Sequence, residues 1–162
     1  MEYTAEIKIE GLMLKDPDKA LSIFEEELGK AFQEATSFIL ALVKRGTPVH
    51  SGNLANSIDT EIRGSGLNLH GIVGTALPYS SFIETGRPPH IPNYANLADW
   101  VRLKLGLQGK ELYAVLQVIA RKISRVGVEP HWMFKRAFNL SQEGVQKILD
   151  KTAERIIKRW NE

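Results

Sequence analysis

Histidines and carboxylates are the residues of this chain that could carry out catalysis. Two His and one Glu are a common ligand set for a catalytic zinc ion, and His50, Glu84 and His90 could supply one. None of them has the close spacing of an HExxH helix, and His50, His90 and His131 each stand beside Pro or Gly turns. We therefore predict no metal site, and a small metal-dependent hydrolase that uses His50, Glu84 and His90 is the alternative.

A Ser–His–Asp triad would need a positioned nucleophile, and Ser51 follows His50 directly. Adjacent residues rarely orient correctly for each other, and the chain has no G-x-S-x-G elbow. Ser51 is better explained as the cap of a short helical turn. The Gly-rich stretches match neither GxGxxG nor GK[ST]. We predict no catalytic residue, no cofactor-binding residue and no cofactor.

Glu84 and Asp59 could pair as acid and base in hydrolysis. A structural role suits Glu84 better, with its carboxylate accepting hydrogen bonds from backbone N–H groups of a nearby turn. The turn at Ser51, Gly52 and Asn53 is the candidate donor.

Composition and charge are those of an ordinary globular protein. The 162 residues are 43% hydrophobic and 25% charged, with 21 basic and 19 acidic residues. The net charge of +2 gives no strong attraction to nucleic acid or anionic membranes, so neither is a predicted partner. A nucleic-acid-binding accessory protein is a second alternative, and it would use a basic cluster near the C-terminus. That cluster comprises Lys151, Arg155, Lys158 and Arg159.

The absence of cysteine excludes disulfides and thiolate zinc sites. The first residues are acidic and lack an apolar segment, so we expect no secretory signal. The most apolar run, residues 38–43, is too short to span a bilayer, so no membrane partner is expected.

The order of elements predicts one α+β domain over residues 1–162. Residues 3–9 alternate between apolar and polar, which predicts a half-buried strand. Its apolar face carries Tyr3, Ala5, Ile7 and Ile9. Asp16 as N-cap and Pro17 at the first helical position predict a long helix that ends near Lys44 or Arg45. We expect this helix to pack on a small antiparallel sheet.

The rest of the chain predicts a hairpin followed by further helices. Weak alternation over 58–63, a turn at Gly64-Ser65-Gly66 and a return strand to Val73 indicate the hairpin. Residues 87–92 indicate a stiff, extended loop rich in proline. A helical insert at about 87–129 contains helices at 94–105 and 110–125, and a C-terminal helix covers about 142–160.

Three segments share an order and spacing that resemble a phage family. Residues 47–58 read TPVHSGNLANSI and resemble T-P-V-D-T-G-x-L-x-x-S-I. Val73-Gly74-Thr75, then Tyr79 and Glu84-Thr85-Gly86, resemble a second motif, and residues 130–138 a third. The chain thus resembles the tail-component or tail-completion proteins of long-tailed bacteriophages over about residues 40–140. His50 stands where the family has Asp, and Ser51 where it has Thr. The motif positions are Pro48, Ser51, Gly52, Leu54, Gly74, Tyr79, Glu84, Gly86, Pro130 and Phe134.

This resemblance implies a non-enzymatic structural protein of a phage or prophage virion. Such proteins lie in the tail or neck, help join tail to head, and often form a ring. The implied partners are further copies of the chain and phage neck and tail proteins, after synthesis in the host cytoplasm. The helical insert is similar to those of minor tail proteins of the lambda Z type and of virion morphogenesis proteins. The candidate interface residues are Phe38, Leu42, Arg87, Pro88, Pro89 and Ile91.

Overall fold

The computed structural model describes residues 16–48 and 52–161. The described residues form an α+β fold, as predicted. Its helices are α1 (Pro17–Gly46), α2 (Asn53–Ser57), α3 (Ser80–Thr85), α4 (Tyr94–Leu105), α5 (Gly109–Val126) and α6 (Met133–Asn161). Its strands are β1 (Asp59–Ser65) and β2 (Asn68–Gly74). The predicted strand at 3–9 lies outside the described residues, as do His50 and Ser51.

The described residues cluster into two compact units. The first unit contains residues 16–46, Ile58–Thr75 and residues 136–161. The second unit contains residues 47–48, residues 52–57 and Ala76–Lys135. The prediction of one domain over residues 1–162 stays a prediction.

Helix α1 begins as the sequence predicts. The backbone N–H of Lys19 donates to Asp16 Oδ1 at 3.1 Å, which satisfies a donor that has no partner within the helix. Pro17 occupies the first helical position, where its missing N–H removes no hydrogen bond. Lys44 and Arg45 lie in the last turn, where their charges favour the helix dipole.

Helices α1 and α6 pack antiparallel in the first unit. Near one end the Trp160 indole N–H donates to the Ala20 carbonyl at 3.1 Å, within an apolar cluster that includes Ile156. Near the other end the Phe38 ring lies so close to Gly144 that a Cβ there would overlap it. Gly144 therefore has a packing reason inside a helix, where glycine otherwise costs about 1 kcal/mol.

Helix α6 begins at Met133, so the predicted start near Gln142 is wrong. In the structure the Ser141 hydroxyl donates back to the Phe138 carbonyl at 2.8 Å and is fully buried, as a serine inside a helix can be. Residues 133–141, which precede the predicted start, are the first part of the same helix.

The hairpin forms as predicted, with its turn slightly later. Strands β1 and β2 pair antiparallel from Asp59 opposite Gly74 to Ser65 opposite Asn68. The loop is therefore Gly66 and Leu67, and Gly66 has the positive φ of 58° that the first loop residue of a type II′ turn requires. Both strands pack on α1.

The second unit contains the two predicted helices of the insert. Asn93 caps α4, because its side chain accepts the Asn96 N–H at 3.1 Å. Helix α4 packs against α5, and both present buried apolar residues such as Val101 and Leu116. Of the helices that the structure describes, none has the length and apolar character that crossing a bilayer requires.

Candidate functional site

Glu84 caps the start of α6 from a distant point in the sequence. Its Oε2 accepts the backbone N–H of Phe134 at 2.9 Å, and its Oε1 accepts that of Lys135 at 3.1 Å. These donors belong to the first turn of α6, where N–H groups lack partners within the helix and the dipole favours an anion. The prediction that Glu84 binds backbone N–H groups is confirmed. The partner that the structure gives these oxygens is the first turn of α6, whereas the sequence suggested the turn at 51–53.

Two strips of main chain pair beside this carboxylate. Arg87 and Val128 exchange two hydrogen bonds, at 2.9 and 2.8 Å, in an isolated antiparallel bridge. The N–H of His131 donates to the Ile83 carbonyl at 2.8 Å, and the N–H of Trp132 to the Glu84 carbonyl at 3.1 Å. We call residues 83–87 and 128–135 the clasp. The clasp joins the end of the second sequence motif to the beginning of the third.

Gly86 is required by the geometry of the clasp. Its φ is 78°, a conformation that residues with a side chain rarely adopt. A Cβ at this position would lie 2.5 Å from the Val128 carbonyl oxygen and 2.9 Å from the Pro130 nitrogen, which are both backbone atoms. The motif positions Gly86 and Pro130 are therefore neighbours in space.

Trp132 turns the chain into α6 with an unusual backbone conformation. Its φ of 55° is the only positive value found outside glycine among the described residues. The Lys135 ammonium lies 4.8 Å from the centre of the Trp132 ring, within the range of a cation–π contact. Because such a conformation costs on the order of 1–3 kcal/mol, it indicates that the clasp is held firmly.

The first sequence motif contacts the same part of the second unit. The Thr47 hydroxyl lies 3.6 Å from the Met133 sulfur, and both residues are buried. Pro48 lines a cleft of about 360 Å³ beside the clasp. Other residues of the cleft wall are Phe82, Arg87, His90, Val128 and His131. The Arg87 guanidinium lies 5.0 Å from the centre of the Phe82 ring.

The geometry gives Glu84 and His90 structural partners. Both carboxylate oxygens of Glu84 accept backbone N–H groups, and His90 Nδ1 lies 2.9 Å from the Pro88 carbonyl oxygen. His50, the third residue of the hydrolase alternative, lies outside the described residues. Within residues 16–48 and 52–161, no group of three or more His, Asp or Glu side chains is arranged to hold a metal ion.

The remaining motif residues divide between the two units. In the second unit Leu54 is buried on α2, and Gly52 precedes that helix with a φ of 80°. Tyr79 precedes α3, and its carbonyl accepts the Phe82 N–H at 3.1 Å. Gly74 lies in the first unit, at the end of β2 opposite Asp59.

The candidate interface residues differ in exposure. In the loop of the second unit Arg87, Pro88 and Pro89 are exposed, and Ile91 retains 83% of its accessible surface. In the first unit Phe38 is 37% exposed although its ring covers Gly144. Leu42 is half-buried. The loop is thus the more open of the two predicted surfaces.

An ion cluster in the first unit was not predicted from the sequence. Glu27 is 3% exposed on α1, and its Oε1 accepts Lys30 Nζ at 2.9 Å and Arg159 Nη1 at 2.8 Å. Its Oε2 lies 3.0 Å from Arg155 Nε. Lys30 foremost, and then Arg159, hold the pKa of Glu27 below its ordinary value of 4.5, against the opposing effect of burial. The available signal was the spacing of Arg155 and Arg159, which places both on one helical face.

This cluster also accounts for part of the basic segment in the last helix. Arg155 and Arg159 face acidic side chains of α1, and Arg159 Nη2 lies 2.9 Å from Glu26 Oε2. Hydrogen bonds from Lys30 and Arg159 lower the pKa of Glu26 to about 2. Two of the four cations proposed for nucleic-acid contact are therefore engaged within the protein.

Comparison with known proteins gives one family. A family model described as "Bacteriophage HK97-gp10, putative tail-component" matches residues 13–86. No curated protein and no solved structure matches the chain. The matched segment includes the first two sequence motifs and ends at Gly86, while the helical insert and the third motif lie beyond it. The finer similarity to lambda Z-type proteins stays a prediction. Over residues 13–86 this chain is therefore similar to a family of bacteriophage tail components.

Proposed function

We propose that this protein is a non-enzymatic structural component of a phage or prophage virion that completes the tail and joins it to the head. In this proposal copies of the chain assemble as a ring in the neck or at the head-proximal end of the tail, after synthesis in the host cytoplasm. The family match over residues 13–86 is the observation that carries the proposal.

The state of Glu84 supports a structural role. A general acid or base needs a carboxylate oxygen that can reach a substrate. Both oxygens of Glu84 accept backbone N–H groups of α6 at 2.9 and 3.1 Å. Glu84 thus joins the second motif to the helix that begins within the third motif.

The clasp also presents a stiff loop that suits contact with another protein. Arg87 is hydrogen-bonded through both its N–H and its carbonyl, and the His90 N–H donates to the Ile123 carbonyl at 3.4 Å. Prolines at 88, 89 and 92 restrict the backbone between and beyond these bonds. A loop that is already ordered loses little conformational entropy on binding. The 83% exposed Ile91 is its apolar contact group.

Complementation of a phage that lacks this gene tests the proposal. Without the protein, electron microscopy is expected to show heads and tails that are not joined, and infectious titre is expected to fall. Expression of the wild-type chain should restore both. Normal, joined particles in the absence of the protein would rule out a function in tail completion.

A charge reversal tests the loop as the contact surface. Arg87→Glu should lower the yield of joined particles. It places an acid in the loop, and it removes the cation–π contact between Arg87 and the aromatic ring of Phe82. Lys110→Glu is the matched control, since it makes the same reversal at an exposed position of α5. Equal titres for both variants would exclude the loop as the contact surface. They would not contradict the proposed function in tail completion.

Self-assembly is tested separately on the purified protein. Negative-stain images and native mass spectrometry are expected to give a closed ring with one subunit number. Cyclic assembly uses head-to-tail contacts, so Arg87→Glu should shift the mass distribution towards monomer. A wild-type chain that stays monomeric at all concentrations would contradict the ring.

A further inference from the structure

The first unit contains an apolar groove between α1, α6 and the hairpin. Its volume is about 570 Å³. Three aromatic side chains line it, Phe24 and Phe32 from α1 and Phe138 from α6, and all three are only partly buried. Ile39 and Leu149 extend the apolar wall. Uncovered aromatic and aliphatic surface of this kind is typical of a site that binds a segment of another protein.

An acidic side chain lies at the rim of this groove. Glu25 is exposed on α1 and follows Phe24 directly in sequence. Its Oε1 lies 3.0 Å from the position of a Cβ at Gly66, and the next residue of the hairpin, Leu67, lines the groove. Within the part of the chain that the structure describes, Glu25 forms no ion pair. The groove therefore combines an apolar wall with an acid that has no cation beside it.

The proline-rich loop of the second unit carries the complementary groups. Ile91 retains 83% of its accessible surface. Arg87 is exposed, lies over the Phe82 ring, and forms no ion pair with any residue in 16–48 or 52–161. The prolines at 88, 89 and 92 have no N–H, so this segment cannot form a continuous ladder with a strand edge. Proline-rich segments bind instead through their side chains, in grooves lined by aromatic residues.

We propose that the groove of one copy receives this loop from the next copy in the ring. In this contact Ile91 lies against the aromatic side chains of the groove, and Arg87 pairs with Glu25. A ring of identical subunits needs two different surfaces on each copy, because its contacts are head-to-tail. The loop provides one surface and the groove provides the other. Because it extends the proposed ring, this contact rests on the proposed function.

The spacing of the two contacts allows them to form together. Ile91 lies four residues after Arg87, and an extended proline-rich chain covers up to about 12 Å over that length. Phe32 lies seven residues after Glu25 on α1, which is a rise of about 10 Å along the helix. A loop that places Arg87 at Glu25 and follows α1 therefore brings Ile91 to the level of Phe32.

Disulfide formation between two differently substituted copies tests the contact. The chain contains no cysteine of its own. Ile91→Cys and Ala35→Cys chains are co-expressed, so that rings contain both, and are then oxidised. Ala35 lines the groove three residues after Phe32 and is only partly buried. Ser37→Cys replaces Ala35→Cys in the control, because Ser37 is exposed on α1 and does not line the groove.

Mass spectrometry without reductant measures the mixed disulfide dimer. It is expected to form at least about tenfold faster with Ala35→Cys than with Ser37→Cys, because only the groove position reaches disulfide geometry. Equal rates in an intact ring would overturn this contact and leave the proposed function standing. A wild-type chain that forms no ring would overturn the contact together with the ring.

An exchange of charges provides a second, independent measurement. Arg87→Glu and Glu25→Lys should each shift native mass spectra towards monomer, and the double variant should restore the ring with the pair reversed. Arg87→Glu combined with Glu143→Lys is the control, since Glu143 is an exposed acid of α6 that does not line the groove. Equal ring fractions in the two double variants would overturn the pairing of Arg87 with Glu25.

The apolar part of the contact has its own test. Ile91→Asp should raise the dissociation constant of the ring by about tenfold or more, because it places a charge in an apolar groove. Ile91 is exposed within its own chain, so the melting temperature of the monomer should stay almost unchanged. Val118→Asp is the control, since Val118 is 67% exposed on α5. Equal dissociation constants for both variants would overturn the docking of Ile91.

Discussion

Each of the two units contains a carboxylate that joins two of its own elements, and the two carboxylates are held by different means. In the first unit Glu27 is 3% exposed and is held by the side chains of Lys30, Arg155 and Arg159. In the second unit Glu84 is held by two backbone N–H groups at the start of α6. Side-chain cations can rearrange when one is lost, whereas backbone donors at a helix start are fixed by the fold.

This difference explains why one carboxylate belongs to a motif and the other does not. The Glu84 contact needs a particular distance from Gly86 in sequence and a particular approach of residues 128–135 in space. The Glu27 contact needs only that two helices place opposite charges on facing sides. Position-specific contacts produce a recognisable spacing, and charge matching between helices does not.

The largest expected effect comes from breaking the clasp without touching either carboxylate. Gly86→Ala forces a side chain into a left-handed conformation and against the Val128 carbonyl, so the free energy of unfolding should fall by about 3 kcal/mol. Denaturant unfolding measures it. Gly74→Ala is the control, because no atom lies within 4 Å of its Cβ position and its φ is not positive. Similar losses in both variants would contradict a special role for Gly86.

A smaller effect is expected from Glu27→Gln. Removing a buried charge that binds three cations should lower the free energy of unfolding by about 2 kcal/mol at pH 7, since the two arginines can regain water. Thermal unfolding measures it, with Glu34→Gln as the exposed control. A loss no larger than that of the control would show that the cluster contributes little.

Low pH should remove the contribution of the Glu27 carboxylate to the stability of the wild-type protein. The folded pKa of Glu27 is lowered, so its stabilisation is complete above the ordinary value of 4.5 and is lost as the pH falls through the lower folded pKa. Glu26, with a pKa of about 2, acts in the same direction. The melting temperature of Glu27→Gln should therefore depend less on pH below about 4.5 than that of the wild type. Parallel curves for the two proteins would contradict this assignment.

Glu84→Gln should have a smaller effect still. The amide oxygen can accept one of the two N–H groups, but the negative charge at the helix start is lost, so we expect a loss of about 1 kcal/mol. Hydrogen exchange at Phe134 and Lys135 should accelerate. Glu129→Gln removes the same charge from an exposed position of the second unit and should leave both amides unchanged. Unchanged exchange in Glu84→Gln would contradict the cap.

The smallest effect is expected for a carboxylate that joins no elements. Glu61 pairs with Arg63 on the same strand at 2.7 Å, and both side chains are more than half exposed. Glu61→Gln should leave the melting temperature unchanged within error, because exposed ion pairs contribute little. A loss of stability as large as that of Glu84→Gln would contradict the expectation that only carboxylates joining two elements stabilise the fold.

Local signals were sufficient for much of the fold. The N-cap at Asp16, the hairpin and the two helices of the insert depend on residues close in sequence, and the structure confirms them. The start of α6 was missed because its capping group is Glu84, about 50 residues earlier. No periodicity near residue 133 reveals such a partner. The Glu27 cluster was missed for the same reason, since its members lie on two helices more than a hundred residues apart.

The antiparallel pair of α1 and α6 limits how the length of this protein can change. Ala20 meets Trp160, Glu27 meets Arg155 and Phe38 meets Gly144, so the paired residue numbers add to nearly the same value along the helices. Deleting one residue between Glu27 and Phe38 would rotate the following part of α1 by about 100°. The Phe38 ring would then no longer lie against Gly144, where the absence of a side chain makes room for it. Length variation among relatives should therefore occur in the loops or beyond the ends of this helix pair, and not between these contacts.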